Sequence, residues 1–157
     1  MPVSIITAPP EFNRWQDVHA LLTESFAYMA DRIDPPSSLL HMTAETLAKK
    51  ARRETLLLAM LDDRIVGCLF LRTEPGTLYA GKLAVDAEFR GHGIARRLLN
   101  AAAERARESG LPALELQTRI ELTENHQAFA RLGFVKRAET THEGFDRPTS
   151  ITMRKPV

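Results

Sequence analysis

The sequence predicts an α/β (α+β) fold, a mainly antiparallel sheet of about six to seven strands flanked by about four helices. Three observations predict it. Short apolar runs bounded by turn residues read as strands, and two stretches, Trp15–Ile33 and Ile94–Ala106, carry apolar residues at steps of three or four, the period of a helix with one buried face. The order is strand, two helices, three strands, helix, strand, helix, two strands, rather than a repeating strand–helix–strand unit. At 157 residues and 44% hydrophobic content the chain can bury one substantial core, so residues 1–157 are expected to form a single domain.

Ser4 to Ala8 reads as the first strand, closed by Pro9 and Pro10, which cannot donate to a ladder. Trp15, Val18, Leu22, Phe26, Met29 and Ile33 then recur on one helical face, with Asn13 as an N-cap and Pro35 and Pro36 as a stop. Thr43 is placed to cap a second helix reaching about Arg53. Leu56–Leu61 and Ile65–Arg72 form a hairpin around Asp62, Asp63 and Arg64. Pro75 and Gly76 suit a type II turn that returns Leu78–Val85 antiparallel. Gly93–Ser109 is the clearest helix, with Ile94, Leu98, Ala102 and Ala106 on one stripe and Gly110 as its C-terminal cap. Leu114–Thr118, a helix over Thr123–Leu132 ended by Gly133, and strands over Phe134–Thr141 and Ser150–Arg154 complete the chain.

The 21 basic and 20 acidic residues nearly cancel, so no global field draws the protein to nucleic acid or a membrane surface, and neither is expected as a partner. No apolar run approaches the ~18 residues of a membrane span, and the first ten residues lack a signal-peptide pattern. Cys68, the sole cysteine, lies in an apolar strand where a thiol behaves as a small buried hydrophobe. A cytoplasmic protein is expected. The five histidines and one cysteine show no metal-ligand spacing, so no metal is expected.

Chemistry concentrates between Leu83 and Ala95, where a strand passes through Arg90-Gly91-His92-Gly93 into a helix start. The first N–H groups of a helix have no internal partners and carry partial positive charge, which makes them an anion site. Glycines allow close approach of a phosphate, and Arg90, Arg96 and Arg97 can add charge-assisted hydrogen bonds. A capped helix with no ligand has the same spacing. A dinucleotide-binding loop would want Gly or Ala where Arg96 stands and a strand running almost directly into Gly91; Glu115 does fall where its ribose-binding acid is expected.

Arg90-x-x-Gly93-x-Ala95 after Leu83-Ala84-Val85 resembles the acetyl-CoA pyrophosphate motif of the GNAT superfamily of N-acetyltransferases. Downstream, Glu124 to Phe134, ending in Leu132-Gly133-Phe134, is similar to that family's second cofactor-side helix. The resemblance covers most of the chain and is weakest before about residue 55. It implies a strongly twisted mixed sheet whose strands at Val85 and Leu114 splay apart to admit a pantetheine arm. It also implies acetyl-CoA as co-substrate, held by Leu83, Ala84, Val85, Arg90, Gly91, His92, Gly93, Ile94, Ala95, Arg96, Asn125 and Phe129. A backbone N–H, taken here as that of Val85, would stabilise the oxyanion of the attacked thioester.

Many relatives carry a tyrosine at the position of Phe129, where its hydroxyl reprotonates the departing thiolate; Phe129 cannot. Asn125 either contacts the cofactor or serves its own helix start, and His126 is expected to be solvated. For the general base Glu115 is the first choice, because it alternates with Leu114 and Leu116 and shares the slot-facing side of its strand with Gln117. Tyr28, Tyr79 and His142 are the other candidates. The loop His142–Pro148 suits either an acceptor pocket or the contact of a homodimer. The leading expectation is transfer of an acetyl group to a primary amine of a small molecule or peptide. A non-catalytic acyl-CoA-binding regulator or sensor is the alternative.

Overall fold

The structure is a computed structural model that describes residues 2–157; Met1 lies outside them. Its strands are β1 (Val3–Thr7), β2 (Thr55–Leu61), β3 (Arg64–Glu74), β4 (Thr77–Val85), β5 (Ala113–Arg119), β6 (Val135–Thr140) and β7 (Ser150–Pro156). The α-helices are α1 (Trp15–Phe26), α2 (Ala44–Arg53), α3 (Ile94–Glu108) and α4 (Thr123–Arg131), with 3₁₀ turns at Ala27–Met29, Ser38–His41 and Ala87–Phe89. All seven strands join one sheet in the order β1-β2-β3-β4-β5-β7-β6. Its pairs are antiparallel except β4–β5, which is parallel. The element order and class agree with the sequence expectation, and most boundaries differ by only one or two residues. Among the described residues, no helix is long and apolar enough to cross a membrane.

Strand alternation sends side chains to both faces of the sheet, and each face has its own core. Leu57, Ala59, Leu69, Leu71, Leu114 and Leu116 meet the α3 stripe of Ile94, Leu98, Ala102 and Ala106. On the other face Leu56, Leu58, Cys68, Phe70 and Ala84 meet Val18, Leu21 and Leu22 of α1 and Leu47 of α2. Burying each such leucine contributes roughly 1.5–3 kcal/mol. Cys68 is fully buried and burial pushes its thiol up to about 12, so it acts as packing.

Local signals held at α2, where the Thr43 and Thr46 side chains form a reciprocal capping box. The Asp62 and Gly76 turns both adopt positive φ, 52° and 75°. They failed at α1. Its N-cap position is Arg14 rather than Asn13, and no side chain caps the helix. Arg14 instead pairs with Asp17 at 2.9 Å and donates to the Asp63 carbonyl at 2.7 Å. The helix also stops at Phe26, where the chain tightens into the Ala27–Met29 turn. Met29 and Ile33 are buried as the spacing implied, but in a separate cluster with Leu122.

The placement of α3 depends on Gly67 in β3. A Cβ there would lie 3.1 Å from Ile94 Cγ2, 3.2 Å from Leu98 Cδ1 and 3.2 Å from the Ala59 Cβ, so the first turns of α3 rest on bare sheet backbone. Gly67→Val should destabilise the protein by about 1–3 kcal/mol through overpacking, read as a lowered urea midpoint. A midpoint equal to the parent's would show that α3 is free to shift.

Candidate active site

Strands β4 and β5 pair only at Leu78–Leu114 and Tyr79–Glu115. Beyond those residues they part, and a cleft of about 1260 Å³ opens between them. Its lining includes the end of β4, the loop and first turn of α3, the end of β5 with α4, the loop at His142–Phe145, and a roof formed by Tyr28 and the 33–38 segment.

At the α3 end, Gly91 and Gly93 take φ of 81° and 75°, a region open to glycine and strained for other residues. A Cβ at either would meet nothing within 4 Å, so the approach to their backbone is clear. The first intrahelical bond runs from the Arg97 N–H to the Gly93 carbonyl at 3.0 Å, which leaves the N–H groups of Ile94, Ala95 and Arg96 without helical acceptors. No side chain caps this helix, and its first turn contains no acid. Such a cradle fits a diphosphate, whose oxygens supply the missing acceptors. Arg90 lies beside it, with its guanidinium carbon 5.9 Å from the Tyr28 ring centre. The Tyr28 hydroxyl accepts from Asn125 Nδ2 at 3.3 Å, so Tyr28 links the loop to α4 across the cleft.

The β4 wall is irregular. Gly81 pairs with Phe70 and Ala84 with Cys68, so Lys82 and Leu83 together stand opposite Leu69. This is a β-bulge, and Lys82 takes φ of 54° within it. Beyond the bulge the Asp86 N–H donates to the Val66 carbonyl at 2.8 Å, and Val85 stands opposite Gly67. Bonded and non-bonded pairs alternate in an antiparallel ladder, so the backbone groups of Val85 point away from β3 and toward the opening. Its carbonyl accepts the Ser25 hydroxyl at 3.1 Å. Ala84, one residue earlier, directs its backbone groups to β3.

On the far side, Phe129 lines the cleft and packs edge-to-face on Phe134, with ring centres 5.9 Å apart. His142 also lines it. Its backbone N–H donates to Thr149 Oγ1 at 2.9 Å, and its Nδ1 hydrogen-bonds the same oxygen. Burial and the nearby Arg119 guanidinium hold the His142 imidazole below its ordinary pKa, against a smaller opposite effect of Glu121. Burial and Arg119 both favour the neutral ring. Tyr79 also lines the cleft, and burial raises its pKa.

Residues 15–134 match the Acetyltransferase (GNAT) family. The chain belongs to that family. It is an N-acetyltransferase with acetyl-CoA as the acyl donor. It is 32% identical over 139 residues to an IAA acetyltransferase of Azospirillum brasilense, covering 87% of this chain and 88% of that one. The fold superposes on the PaiA N-acetyltransferase of Thermoplasma acidophilum in complex with coenzyme A, with a TM-score of 0.83 at 16% identity and full coverage of both chains. A GNAT family acetyltransferase of Elizabethkingia anophelis with acetyl-CoA bound gives 0.71 at 18% identity, covering 99% of this chain and 98% of that one.

Within this GNAT cleft the structure gathers Leu83, Ala84, Val85, Arg90, Gly91, Gly93, Ile94, Ala95, Asn125 and Phe129 from the expected cofactor residues. The side chains of His92 and Arg96 are exposed and do not line it; only their backbone belongs to the loop. Glu115 requires correction. Its carboxylate accepts from Arg154 Nε at 3.0 Å and Nη2 at 2.6 Å, and it lies outside the cleft lining. Strand alternation gave its face correctly, but β4 still covers β5 at that residue. His126 is part-buried rather than fully solvated, with its Nε2 2.8 Å from the Arg119 carbonyl.

Sequence reasoning missed Lys82 and Arg119, two cations on the cleft wall. A lysine inside the apolar run Leu78–Val85 was the available signal for the first. Among the described residues, no group of three or more His, Cys, Asp or Glu could hold a metal ion.

Replacing Gly93 with Val should weaken acetyl-CoA binding at least tenfold, because a β-branched residue disfavours positive φ and blocks backbone approach. Calorimetric titration, with NAD as the comparison ligand, reads this directly. Unchanged affinity would remove the loop from cofactor binding.

Proposed function

We propose that residues 1–157 are one acetyltransferase domain that acetylates a primary amine by direct attack on the thioester. The open, uncapped α3 N-terminus beside the β4–β5 opening carries this reading. Acetyl-CoA supplies an acetyl group activated as a thioester. The N–H groups at Gly91–Arg96, with Arg90, hold the diphosphate. Leu83 and Val85 face the pantetheine arm, and Asn125 and Tyr28 close over it. The Val85 N–H, directed into the opening, is the oxyanion donor; one such donor is commonly worth about 3 kcal/mol of barrier.

His142 replaces Glu115 as the proposed general base. An alkyl ammonium, with a pKa of about 10, must lose a proton before it attacks. The Thr149 hydroxyl has a single proton and lies 3.3 Å from the Thr140 carbonyl. With that proton given to Thr140, the imidazole donates from Nδ1 to Thr149 Oγ1. Nε2 then keeps its lone pair for a substrate proton, directly or through water. Phe129 packs and supplies no acid. Thiolate, whose conjugate acid has a pKa near ~8.5, leaves without one. The lone Cys68, buried and unpaired, supports a reducing compartment, the cytoplasm.

His142→Asn should lower kcat/KM about 10²-fold or more, the usual contribution of a general base, with little change in acetyl-CoA affinity. The neutral imidazole is the base, and burial and Arg119 hold its pKa below the ordinary imidazole value. Parent activity should therefore hold level above that value and fall as the pH drops through the lowered pKa. The variant should lose this acid limb. An unaltered pH profile would rule out His142.

A further inference from the structure

Five cations line the cleft: Lys50, Arg72, Lys82, Arg90 and Arg119. Arg90 sits at the diphosphate loop. Lys50 is paired with Glu54 at 2.7 Å and Arg72 with Glu74 at 2.8 Å. Lys82 and Arg119 differ from these, because neither has a carboxylate partner among the described residues. Lys82 Nζ donates to Ser38 Oγ at 2.8 Å. Arg119 donates to the carbonyls of Pro35 at 2.6 Å and Pro36 at 3.1 Å. The two cations thus approach the same short segment, 35–38, one from β4 and one from the end of β5.

Burial works against the charge of both side chains, and no carboxylate among the described residues pairs with either. Burial lowers the Lys82 pKa, and Lys50 and Arg119 lower it further; burial does the same to Arg119. Most neighbouring acids are otherwise engaged. Glu54 pairs with Lys50, and Asp34 pairs with Arg147 at 3.2 Å. Glu121 accepts the Asp34 N–H at 3.1 Å through one oxygen while its other oxygen is buried without a hydrogen-bond partner, and Glu121 and Asp34 act on Arg119 at longer range, forming no ion pair with it. Of the two acids in the lining, Glu124 pairs with Arg32 at 2.7 Å, leaving Glu143 without an ion pair among the described residues. Lys82 also holds a left-handed backbone conformation that favours glycine. The bulge thereby brings an ammonium group into the cleft immediately before the proposed pantetheine contacts Leu83 and Val85.

We propose that the acceptor amine carries an anionic group, a carboxylate or a phosphate, which docks between Lys82 and Arg119 under the 35–38 segment. This rests on the amine-acetylation reading above and names the acceptor's chemical class. The Arg119 guanidinium has five N–H donors, so donors remain after the two proline carbonyls. The Lys82 ammonium has three, one of them used by Ser38. An arriving anion would relieve the repulsion between the two cations, and a neutral amine would leave it in place.

The test is acetyl-CoA turnover, followed by thiol release, with acceptors matched in shape and differing in charge. α-Amino acids are compared with their α-amides, and O-phosphoethanolamine with ethanolamine; the two arms separate carboxylate from phosphate. At least one anionic acceptor should exceed its neutral counterpart tenfold or more in kcat/KM. Lys82→Met should reduce that ratio to near one by raising KM for the anionic acceptor, with KM for acetyl-CoA unchanged. Lys82→Arg should retain most of it. Ser38→Ala, which removes the strap bond and keeps the charge, should preserve the preference.

Equal or better turnover of the neutral partners would overturn the proposal while leaving amine acetylation intact, as would a ratio that survives Lys82→Met or collapses in Ser38→Ala. If no amine is turned over, the acetylation reading itself fails. Calorimetry of the CoA-loaded protein then decides on the anion site, using N-acetylamino acids against N-acetylamino amides. Preferential binding of the acids, lost in Lys82→Met, supports the site, and equal or absent binding of both excludes it.

Discussion

Everything functional in this protein depends on an incomplete strand pairing. Parallel strands β4 and β5 share only the pairs Leu78–Leu114 and Tyr79–Glu115 before they separate. A sheet that opens in its middle exposes backbone groups that would otherwise be consumed in the ladder. The bulge at Lys82–Leu83 and the ladder alternation decide which of those groups face the gap, and Val85 is one that does. The same gap admits the first turn of α3, held against the sheet by the bare backbone of Gly67. Unpaired strand amides and unpaired helix amides are thus brought to one space, without any catalytic side chain being specified by the fold.

The sequence was most readable where local physics decides the outcome. Gly76 stands at positive φ in its turn, Thr43 caps α2, and the α3 stripe lies against the core. Each requires only a few neighbouring residues, which is why spacing and composition revealed them. It was least readable where the chain interacts at long range. Periodicity carried the first helix on to Ile33, whereas α1 ends at Phe26 because Met29 and Ile33 bury themselves against Leu122, far along the chain. Glu115 failed as a base for a similar reason. Its strand face was correct, but Arg154, 39 residues away, takes its carboxylate. Lys82 and Arg119 could not be recognised as a pair, since only the tertiary fold brings both to the 35–38 segment.

The electrostatics of the cleft bear on how a GNAT enzyme works with Phe129, which has no hydroxyl, at the position where the family resemblance implies a tyrosine acid. Two species must change protonation or charge for acetyl transfer: the acceptor ammonium must become an amine, and the thioester sulfur must leave as a thiolate. A positive potential helps both, because it disfavours the ammonium and favours the thiolate. At an effective dielectric of about 20, one unit charge at about 6 Å is worth about 3 kcal/mol, or about two pKa units. Such a contribution brings an amine of pKa ~10 within reach of the neutral His142 and pulls a thiol of pKa ~8.5 toward neutrality.

Lys82 and Arg119, unlike Lys50 and Arg72, form no ion pair with a carboxylate among the described residues, so their field in the cleft is reduced only by the longer-range effects of Glu54, Glu121 and Asp34. The same field that lowers the acceptor's pKa would repel its protonated form at the entrance, and a simple alkylammonium would bind poorly. An acceptor that carries its own negative charge escapes this conflict: the anion is held between the two cations, and the amine, held at the other end of the same small molecule, still experiences enough positive potential to lose its proton. A cleft that dispenses with a dedicated acid is therefore best suited to an anionic amine, and the chemistry of the leaving group and the selection of the acceptor follow from one pair of charges.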